Sequence, residues 1–200
     1  MSYSERLVIS VKNVEPIRDK KAIEAMKRIL LGNKFGLRDH ALFVLGINSG
    51  LRVSDLLELK INDVVDVKGK IKDRIALREK KTRKNKDFPI SVTAGKALKE
   101  YLDTRKNADQ EEPLFLSRNH KALGRQQAWI ILSSAAKLAG IKENVGTHTL
   151  RKTFGYHAYA DGKDIALVQT LLNHSHPAVT LRYIGITKEQ TDRVYLSLNL

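Results

Sequence analysis

The sequence predicts a mainly α-helical fold with one small three-stranded antiparallel β-sheet. Apolar residues recur at helical spacing along most of the chain. Between residues 61 and 90 they fall instead into short β-type segments separated by Asp/Gly/Lys and Lys/Asn turns. The acidic loop at 108–113 is too short to link two domains, so we expect the 200 residues to form one domain.

The first part of the chain is predicted to hold a lead-in and three helices. Residues 1–16 show no helical pattern and form the lead-in. The first helix follows, because apolar residues between Ile23 and Leu30 share one face. The next helix, over 37–48, is apolar on almost every side, which is typical of an element at the centre of a core. A short helix over 53–57 comes after it.

The predicted sheet has its strands at 64–65, 71–77 and 88–90. Helical spacing then returns, and Ser91 has the hydroxyl that caps a helix. The predicted helices of this second part cover residues 92–102, 128–135, 150–160, 165–172, 178–184 and 189–196.

Positive charge is the strongest feature of the composition. Lys and Arg total 36 against 22 Asp and Glu, a formal net charge of +14, which favours a polyanion as partner. Residues 60–86 alone carry eleven basic and four acidic side chains. Such a block is often a solvated, self-repelling loop, but with the global surplus a nucleic-acid face is the better interpretation. The candidate DNA contacts in the hairpin are Arg78, Lys80, Arg83, Lys84 and Lys86.

Composition also excludes several classes of site. The sequence has no cysteine, so disulfides, thiolate zinc sites and cysteine nucleophiles are ruled out. No apolar run reaches the roughly 18 residues of a membrane span, and the first residues lack the layout of a secretory signal. We therefore expect a soluble cytoplasmic protein without a membrane partner. The histidines show no metal-site spacing, and no metal or other cofactor is predicted.

Four separate pieces of the chain carry side chains suited to chemistry. Arg52 follows a Ser-Gly break at a helix start, where it could pair with Asp55 or Glu58 or aim at a phosphate. His148 and Arg151 are three apart and share a helix face, although a histidine there is commonly a cap or a core residue.

The remaining two pieces lie in the hairpin and near the C-terminus. His174 ends one predicted helix, and Tyr183 lies on the second turn of the next, where a tyrosine is usually core or interface. Lys81 sits among several basic residues of the hairpin, and composition alone cannot single it out. Arg125 begins the helix that carries Ala128, where it could meet a phosphate or simply face solvent.

In this order, the pieces resemble the catalytic domain of the tyrosine recombinases, the phage-integrase family. The similar stretches are SGLRVSDLLEL, REKKTRKNKDFPI, GTHTLRKTFGYHAY and IALVQTLLNHSHPAVTLRYIGI. The resemblance covers roughly residues 17–190 and implies the catalytic-domain fold of that family, with 191–200 as a tail packed in cis or on a neighbouring subunit. It implies the catalytic set Arg52, Lys81, His148, Arg151, His174 and Tyr183, with Asp55 in support.

The resemblance implies site-specific cleavage and rejoining of double-stranded DNA through a 3′-phosphotyrosyl intermediate, as in integration. Two arginines can hold the phosphate oxygens, and Tyr183, with a free pKa near ~10, needs a base or a positive pocket to attack. His148 would be the base and Lys81 the acid for the leaving oxygen. The bond energy stays in the phosphotyrosyl link, so neither ATP nor a metal is needed.

The sequence departs from the family pattern at three places. Asp55 stands where Glu is more common, and Asn173 where Gly is common. Typical members also carry an N-terminal domain that clamps the far side of the DNA, and Arg52 comes too early for one to fit. We therefore expect an isolated catalytic domain, or a short member that relies on self-association on DNA or on an accessory DNA-binding protein.

Two other functions stay open on the sequence. The first is a nicking and resealing enzyme similar to type IB topoisomerases, which would use the same chemistry without exchanging strands between sites. The second is a DNA-binding relative that has lost catalysis, although the complete set of six residues argues against it.

Overall fold

The computed structural model describes residues 14–186, 192 and 195–198, and shows a mainly helical fold with a two-stranded sheet. The elements of this part are, in chain order, α1 (Lys20–Leu31), α2 (Gly36–Ser49), α3 (Val53–Leu57), α4 (Ile61–Val64), β1 (Arg74–Arg78), β2 (Asn85–Pro89), α5 (Val92–Leu102), a 3-10 turn (Asp103–Arg105), α6 (Arg125–Leu138), α7 (Thr149–Ala160), α8 (Ile165–Leu171) and α9 (Pro177–Tyr183).

Helix α2 is the centre of the core, as its pattern predicts. Its residues from Ala41 to Leu45 are at most 1% exposed. The helix packs against α1, α5 and α7, so it is enclosed on several sides and needs no polar face. The predicted capping by Ser91 is also present, since its hydroxyl accepts a hydrogen bond from the Ala94 amide at 3.3 Å.

The predicted three-stranded sheet is wrong in its first strand. Strands β1 and β2 pair antiparallel, with Arg74 opposite Pro89 and Arg78 opposite Asn85. Val64 instead ends α4, and Val65 makes one isolated bridge to Ile71.

Local side-chain hydrogen bonds explain why this segment is not a strand. Asp63 accepts from the Lys60 amide at 2.8 Å and so closes the helical turn of α4. Asp66 then accepts from the amides of Lys68 and Lys70 at 2.8 and 2.9 Å. These bonds favour a helical turn followed by a tight loop over an extended strand.

The C-terminal helices form a small unit of their own. Val168, Leu172 and Ile184 are each 0% exposed and make a cluster separate from the main core. This C-terminal unit, α8 and α9, packs on α7. Gly155 makes the close packing feasible, because a Cβ at that position would lie 2.8 Å from Ile184 and 2.9 Å from Leu172.

Both termini extend beyond the described residues. Of the predicted lead-in, residues 14–16 are described, and the Glu15 amide donates to the Asn144 carbonyl at 3.0 Å. Of the predicted helix at 189–196, residues 192, 195 and 196 are described, and all three are helical. The choice between a tail packed in cis and one packed on a neighbour lies outside the described residues. Across the residues described, no helix is long and apolar enough to cross a membrane.

Candidate active site

The turn between α2 and α3 places Arg52. Helix α2 ends at Gly50, which has a left-handed backbone with φ 59°. A Cβ at this glycine would lie 2.5 Å from the ring of Phe154 on α7, so the close approach requires glycine. Arg52 then begins α3, with a side chain 18% exposed. The predicted break thus brings this arginine against α7.

Arg151 on α7 is held from two directions. It is 2% exposed. Its Nη1 donates to the Gly50 carbonyl at 2.5 Å, and its Nη2 donates to the Leu172 carbonyl. The guanidinium therefore links α7 to the turn before Arg52 and to the end of α8, and its position is fixed by backbone atoms.

A carboxylate, Glu79, lies between the two arginines. Its Oε1 is 2.7 Å from Nη1 of Arg52 and 3.9 Å from Nη1 of Arg151, and the residue is 0% exposed. Its Oε2 accepts from Thr82 at 2.6 Å and from Asn173 at 3.0 Å. Burial alone would raise the pKa of Glu79, but these hydrogen bonds and the Arg52 charge outweigh it and lower the pKa. The two arginines thus form a site for an anion.

His174 and Tyr183 face this site from the C-terminal unit. Their rings meet edge to face with centroids 4.8 Å apart, and His174 Nδ1 lies 3.1 Å from the Thr180 hydroxyl. Burial raises the pKa of Tyr183, while the charges of Arg151 and Arg52 and a hydrogen bond with Arg151 act against it. The phenol is therefore protonated at neutral pH and lies where both guanidinium charges act on it.

Both candidate histidines are neutral near pH 7. Burial, and after it the charges of Arg151 and Arg52, lower the pKa of His174 to about 4. For His148 burial is again the largest cause of a lowered pKa, followed by the charges of Arg125 and three other cations. The His148 side chain is partly covered and partly open to solvent at the start of α7, with Nε2 3.4 Å from a guanidinium nitrogen of Arg125. A neutral, exposed imidazole can accept a proton.

Lys81 lies in the exposed turn between β1 and β2 rather than among the buried groups. It is close enough to His148 for its charge to lower the pKa of that residue. Asp55 stabilises the turn between β1 and β2, because its Oδ1 accepts a hydrogen bond from the Lys80 amide at 2.9 Å. The structure thus brings four of the predicted catalytic residues together at the anion site, namely Arg52, Arg151, His174 and Tyr183, and leaves His148 and Lys81 in exposed positions beside it.

The predicted DNA-binding residues of the hairpin fall into two groups. Arg78, Lys80, Arg83 and Lys84 are exposed, with Arg78 donating to the Arg83 carbonyl at 2.8 Å and Lys80 paired with Glu58. Lys86, predicted to lie on the same face, is instead turned inward. Its Nζ lies 3.2 Å from the Leu171 carbonyl and 3.4 Å from the Gly50 carbonyl.

The inward position of Lys86 also changes its pKa. Burial, and then the Arg151 charge, lower the pKa of Lys86 to about 8, although Glu79 acts in the opposite direction. A sequence cannot show this inward turn, because β2 alternates its side chains and the packing of α7 and α8 decides which face is covered.

Two residues of the site, Glu79 and Lys152, were not predicted from the sequence. Lys152 follows Arg151 on α7 and places its Nζ 5.2 Å from the centre of the Tyr183 ring. One feature of the sequence could have drawn attention to Glu79: it is the sole acidic residue between Arg78 and Lys86.

Comparison with known proteins gives a consistent result. Residues 16–190 match the model of the phage integrase family. The chain is 45% identical over 184 residues to the probable integrase/recombinase YoeC of Bacillus subtilis, covering 91% of this chain and 95% of that protein. It is 33% identical over 165 residues to the tyrosine recombinase XerC of Thermodesulfovibrio yellowstonii, covering 79% of this chain and 53% of that protein.

A solved structure extends the comparison to the fold. The crystal structure of XerA recombinase matches 100% of this chain with a TM-score of 0.73 at 25% sequence identity, and 67% of the XerA chain is covered. The chain therefore spans nearly all of YoeC but about half of XerC, and its fold is that of a recombinase catalytic domain.

Proposed function

Because this chain belongs to the phage integrase family, we propose that it is a site-specific DNA recombinase of the tyrosine type, which cleaves and rejoins DNA strands through a covalent phosphotyrosyl bond. The observation that carries the proposal is the convergence of Arg52 and Arg151 on one anion, with the Tyr183 phenol beside them. The double-stranded DNA substrate and the assembly of several subunits on it belong to the proposal as well.

The two arginines would hold the scissile phosphate. Attack on a phosphodiester raises negative charge on the non-bridging oxygens, and guanidinium groups fixed in advance stabilise that charge. Arg151 is fixed by the carbonyls of Gly50 and Leu172, so its remaining N–H groups are oriented before the substrate arrives. His174, neutral and next to Tyr183, would donate a further hydrogen bond.

Tyr183 would supply the nucleophile. Its oxygen attacks phosphorus, the bond from phosphorus to the 5′-oxygen breaks, and the 3′-phosphate becomes attached to the tyrosine. The phenol proton passes to a base, for which His148 is the candidate because its lowered pKa leaves the imidazole neutral near pH 7, with a ring nitrogen free to accept a proton. The leaving 5′-oxygen takes a proton from Lys81. Rejoining is the reverse sequence with a 5′-hydroxyl as nucleophile.

Covalent trapping on a nicked suicide substrate tests this proposal. Such a duplex loses the short 5′-hydroxyl fragment after cleavage, so an SDS-resistant adduct accumulates in the unmodified protein. Tyr183→Phe should bind the same duplex normally and give no adduct. Tyr156→Phe is the matched control and should retain the adduct. An adduct in Tyr183→Phe would refute the assignment of the nucleophile, and its absence from the unmodified protein would refute the activity.

Strand exchange separates this activity from simple nicking and resealing. Two duplexes with different labels, incubated with the protein, should give products that join one label to the other. Relaxation of supercoiled DNA without such products would instead support a topoisomerase-like enzyme.

A further inference from the structure

Glu79 fills the place where the proposed mechanism requires a phosphate. Its carboxylate lies between the guanidinium groups of Arg52 and Arg151 and is fully buried. A phosphate held by both arginines and a Glu79 side chain in its present position would occupy the same space with the same sign of charge. The two negatively charged groups therefore compete for the same pair of guanidinium groups.

The Glu79 carboxylate pairs closely with Arg52 but lies beyond hydrogen-bond distance of Arg151. Arg52 Nη1 forms a close ion pair with Glu79 Oε1, at 2.7 Å. Arg151 is farther away, at 3.9 Å, and the second carboxylate oxygen is taken by Thr82 and Asn173. A phosphate with two non-bridging oxygens can present one to each arginine, so it is the better ligand.

Glu79 is also part of the turn that carries Lys81. The Thr82 hydroxyl donates to its side chain, and the Arg83 amide donates to its carbonyl at 2.9 Å. The Glu79 amide donates to the Lys84 carbonyl, again at 2.9 Å. Lys81 lies within the loop that these bonds close, exposed and at the edge of the site. As long as the carboxylate stays between the arginines, the Thr82 bond holds this loop in its present shape.

We propose that the Glu79 carboxylate is an internal substitute for the scissile phosphate, and that its displacement by DNA releases the 79–84 turn so that Lys81 can approach the leaving oxygen. The proposal rests on the proposed function, because it needs a phosphate to bind at the two arginines. In it Glu79 is a positioning residue that acts through Lys81 and lowers the apparent affinity for DNA.

The substitution that tests this is Glu79→Gln, which keeps the shape and removes the charge. The matched control is Asp87→Asn, on the same hairpin, where the carboxylate is exposed and pairs with Arg74 at 2.9 Å. Both variants raise the net charge by one, so a general effect of charge on DNA binding appears equally in the two. Thr82→Val provides a second route, because it removes the bond to Glu79 without altering any charge.

The measurement is single-turnover cleavage of the suicide substrate over a range of DNA concentrations. Glu79→Gln should lower the DNA concentration for half-maximal cleavage by about tenfold more than Asp87→Asn does, on the scale of one charge-assisted hydrogen bond, without lowering the maximal rate. Thr82→Val should change it in the same direction by a smaller factor. Thermal unfolding of each variant shows whether it is folded. If Glu79→Gln is not folded, the comparison of Thr82→Val with the unmodified protein tests the proposal instead.

Different results would contradict the role of Glu79 and the proposed function. Equal effects of Glu79→Gln and Asp87→Asn, or a maximal rate that falls in Glu79→Gln, would overturn the internal-substitute role while leaving the recombinase activity intact. An unmodified protein that forms no adduct dependent on Tyr183 would overturn the proposed function itself.

Discussion

The two regions that supply the candidate active site differ in how firmly they are built. Arg52 and the turn before it belong to a large core in which α2 is enclosed by α1, α5 and α7. His174 and Tyr183 belong to the C-terminal unit, whose separate cluster has three fully buried residues in the described part of the chain. Burial of apolar surface is the main stabilising term in folding, so the free energy needed to open the C-terminal unit is expected to be the smaller one.

This difference suggests a division of work in the proposed reaction. The groups that hold the phosphate have to be rigid, because preorganised donors stabilise the transition state without rearranging. The nucleophile has to be able to approach and to retreat as strands are exchanged, and a weakly docked unit can do so while the main core stays folded. Arg151 spans both regions through the carbonyls of Gly50 and Leu172.

Removal of the bridging arginine should have the largest effect on activity. Arg151→Ala should lower the rate of adduct formation by at least ~10²-fold, the scale observed when one oxyanion donor is lost. It should also loosen the C-terminal unit, because the Leu172 carbonyl loses its donor. Arg182→Ala, on the exposed side of α9, is the control and should retain most of the rate. Cleavage within a few-fold of the unmodified protein in Arg151→Ala would contradict the role in holding phosphate.

Two leucines test the difference in stability directly. Leu98 on α5 and Leu172 at the end of α8 are both 0% exposed. Truncation of a buried leucine to alanine costs about 2–5 kcal/mol, so Leu98→Ala should lower the free energy of global unfolding by that amount in denaturant melts. Leu172→Ala should instead increase amide hydrogen exchange in α8 and α9 with little change in α2. Equal exchange increases in both helices and α2 would show that the two regions unfold as one.

Salt dependence should distinguish exposed from buried lysines of the hairpin. Each lysine that contacts phosphate contributes close to one unit to the slope of log affinity against log salt. Lys84→Gln should therefore reduce the slope of DNA binding by ~1. Lys86→Gln should change it less and lower thermal stability more, because its ammonium group contacts carbonyls of Gly50 and Leu171. Equal slopes for Lys84→Gln and the unmodified protein would exclude Lys84 from the interface.

The smallest predicted effect is the pH dependence of the C-terminal unit. The pKa of His174 falls from 6.5 to about 4 on folding, so between these pH values the unfolded state binds more protons and stability is lost as pH falls. The loss stays well below the limit of about 1.4 kcal/mol per pH unit for one histidine, because the ring is partly exposed and solvent screens the neighbouring charges. His174→Gln should flatten this part of the stability curve, measured by thermal melts from pH 7 to pH 4. An unchanged slope would show that His174 is not buried in its neutral form.

The sequence predicted the helices well because their signals are local. The apolar spacing of α1, the enclosed pattern of α2 and the Ser91 cap each depend on a few neighbouring residues. The strand predicted at Val64 failed because two aspartates, Asp63 and Asp66, form side-chain hydrogen bonds that outweigh the β-preference of adjacent valines.

The predicted site residues came from resemblance, and physics alone would have left most of them ambiguous. A His three residues before an Arg, or a Tyr on an amphipathic helix, has ordinary structural explanations. The positions of Glu79 and Lys86 in the site could not be predicted from the sequence for a different reason. Their burial depends on how the hairpin packs against α7 and α8, and a charged residue within a basic run gives no indication that it will be covered.

The Gly50 carbonyl receives hydrogen bonds from both Arg151 and Lys86. Since it belongs to the backbone, no amino-acid replacement deletes it, and mutational scanning of side chains will underestimate its importance. Chemical synthesis with an ester in place of the amide between residues 50 and 51 would weaken this acceptor and would also remove the Leu51 amide, which donates to the Ser49 hydroxyl at 3.3 Å. Any redesign of the enzyme toward new targets has to keep this peptide group in place, because it holds both the Arg151 guanidinium and the Lys86 ammonium.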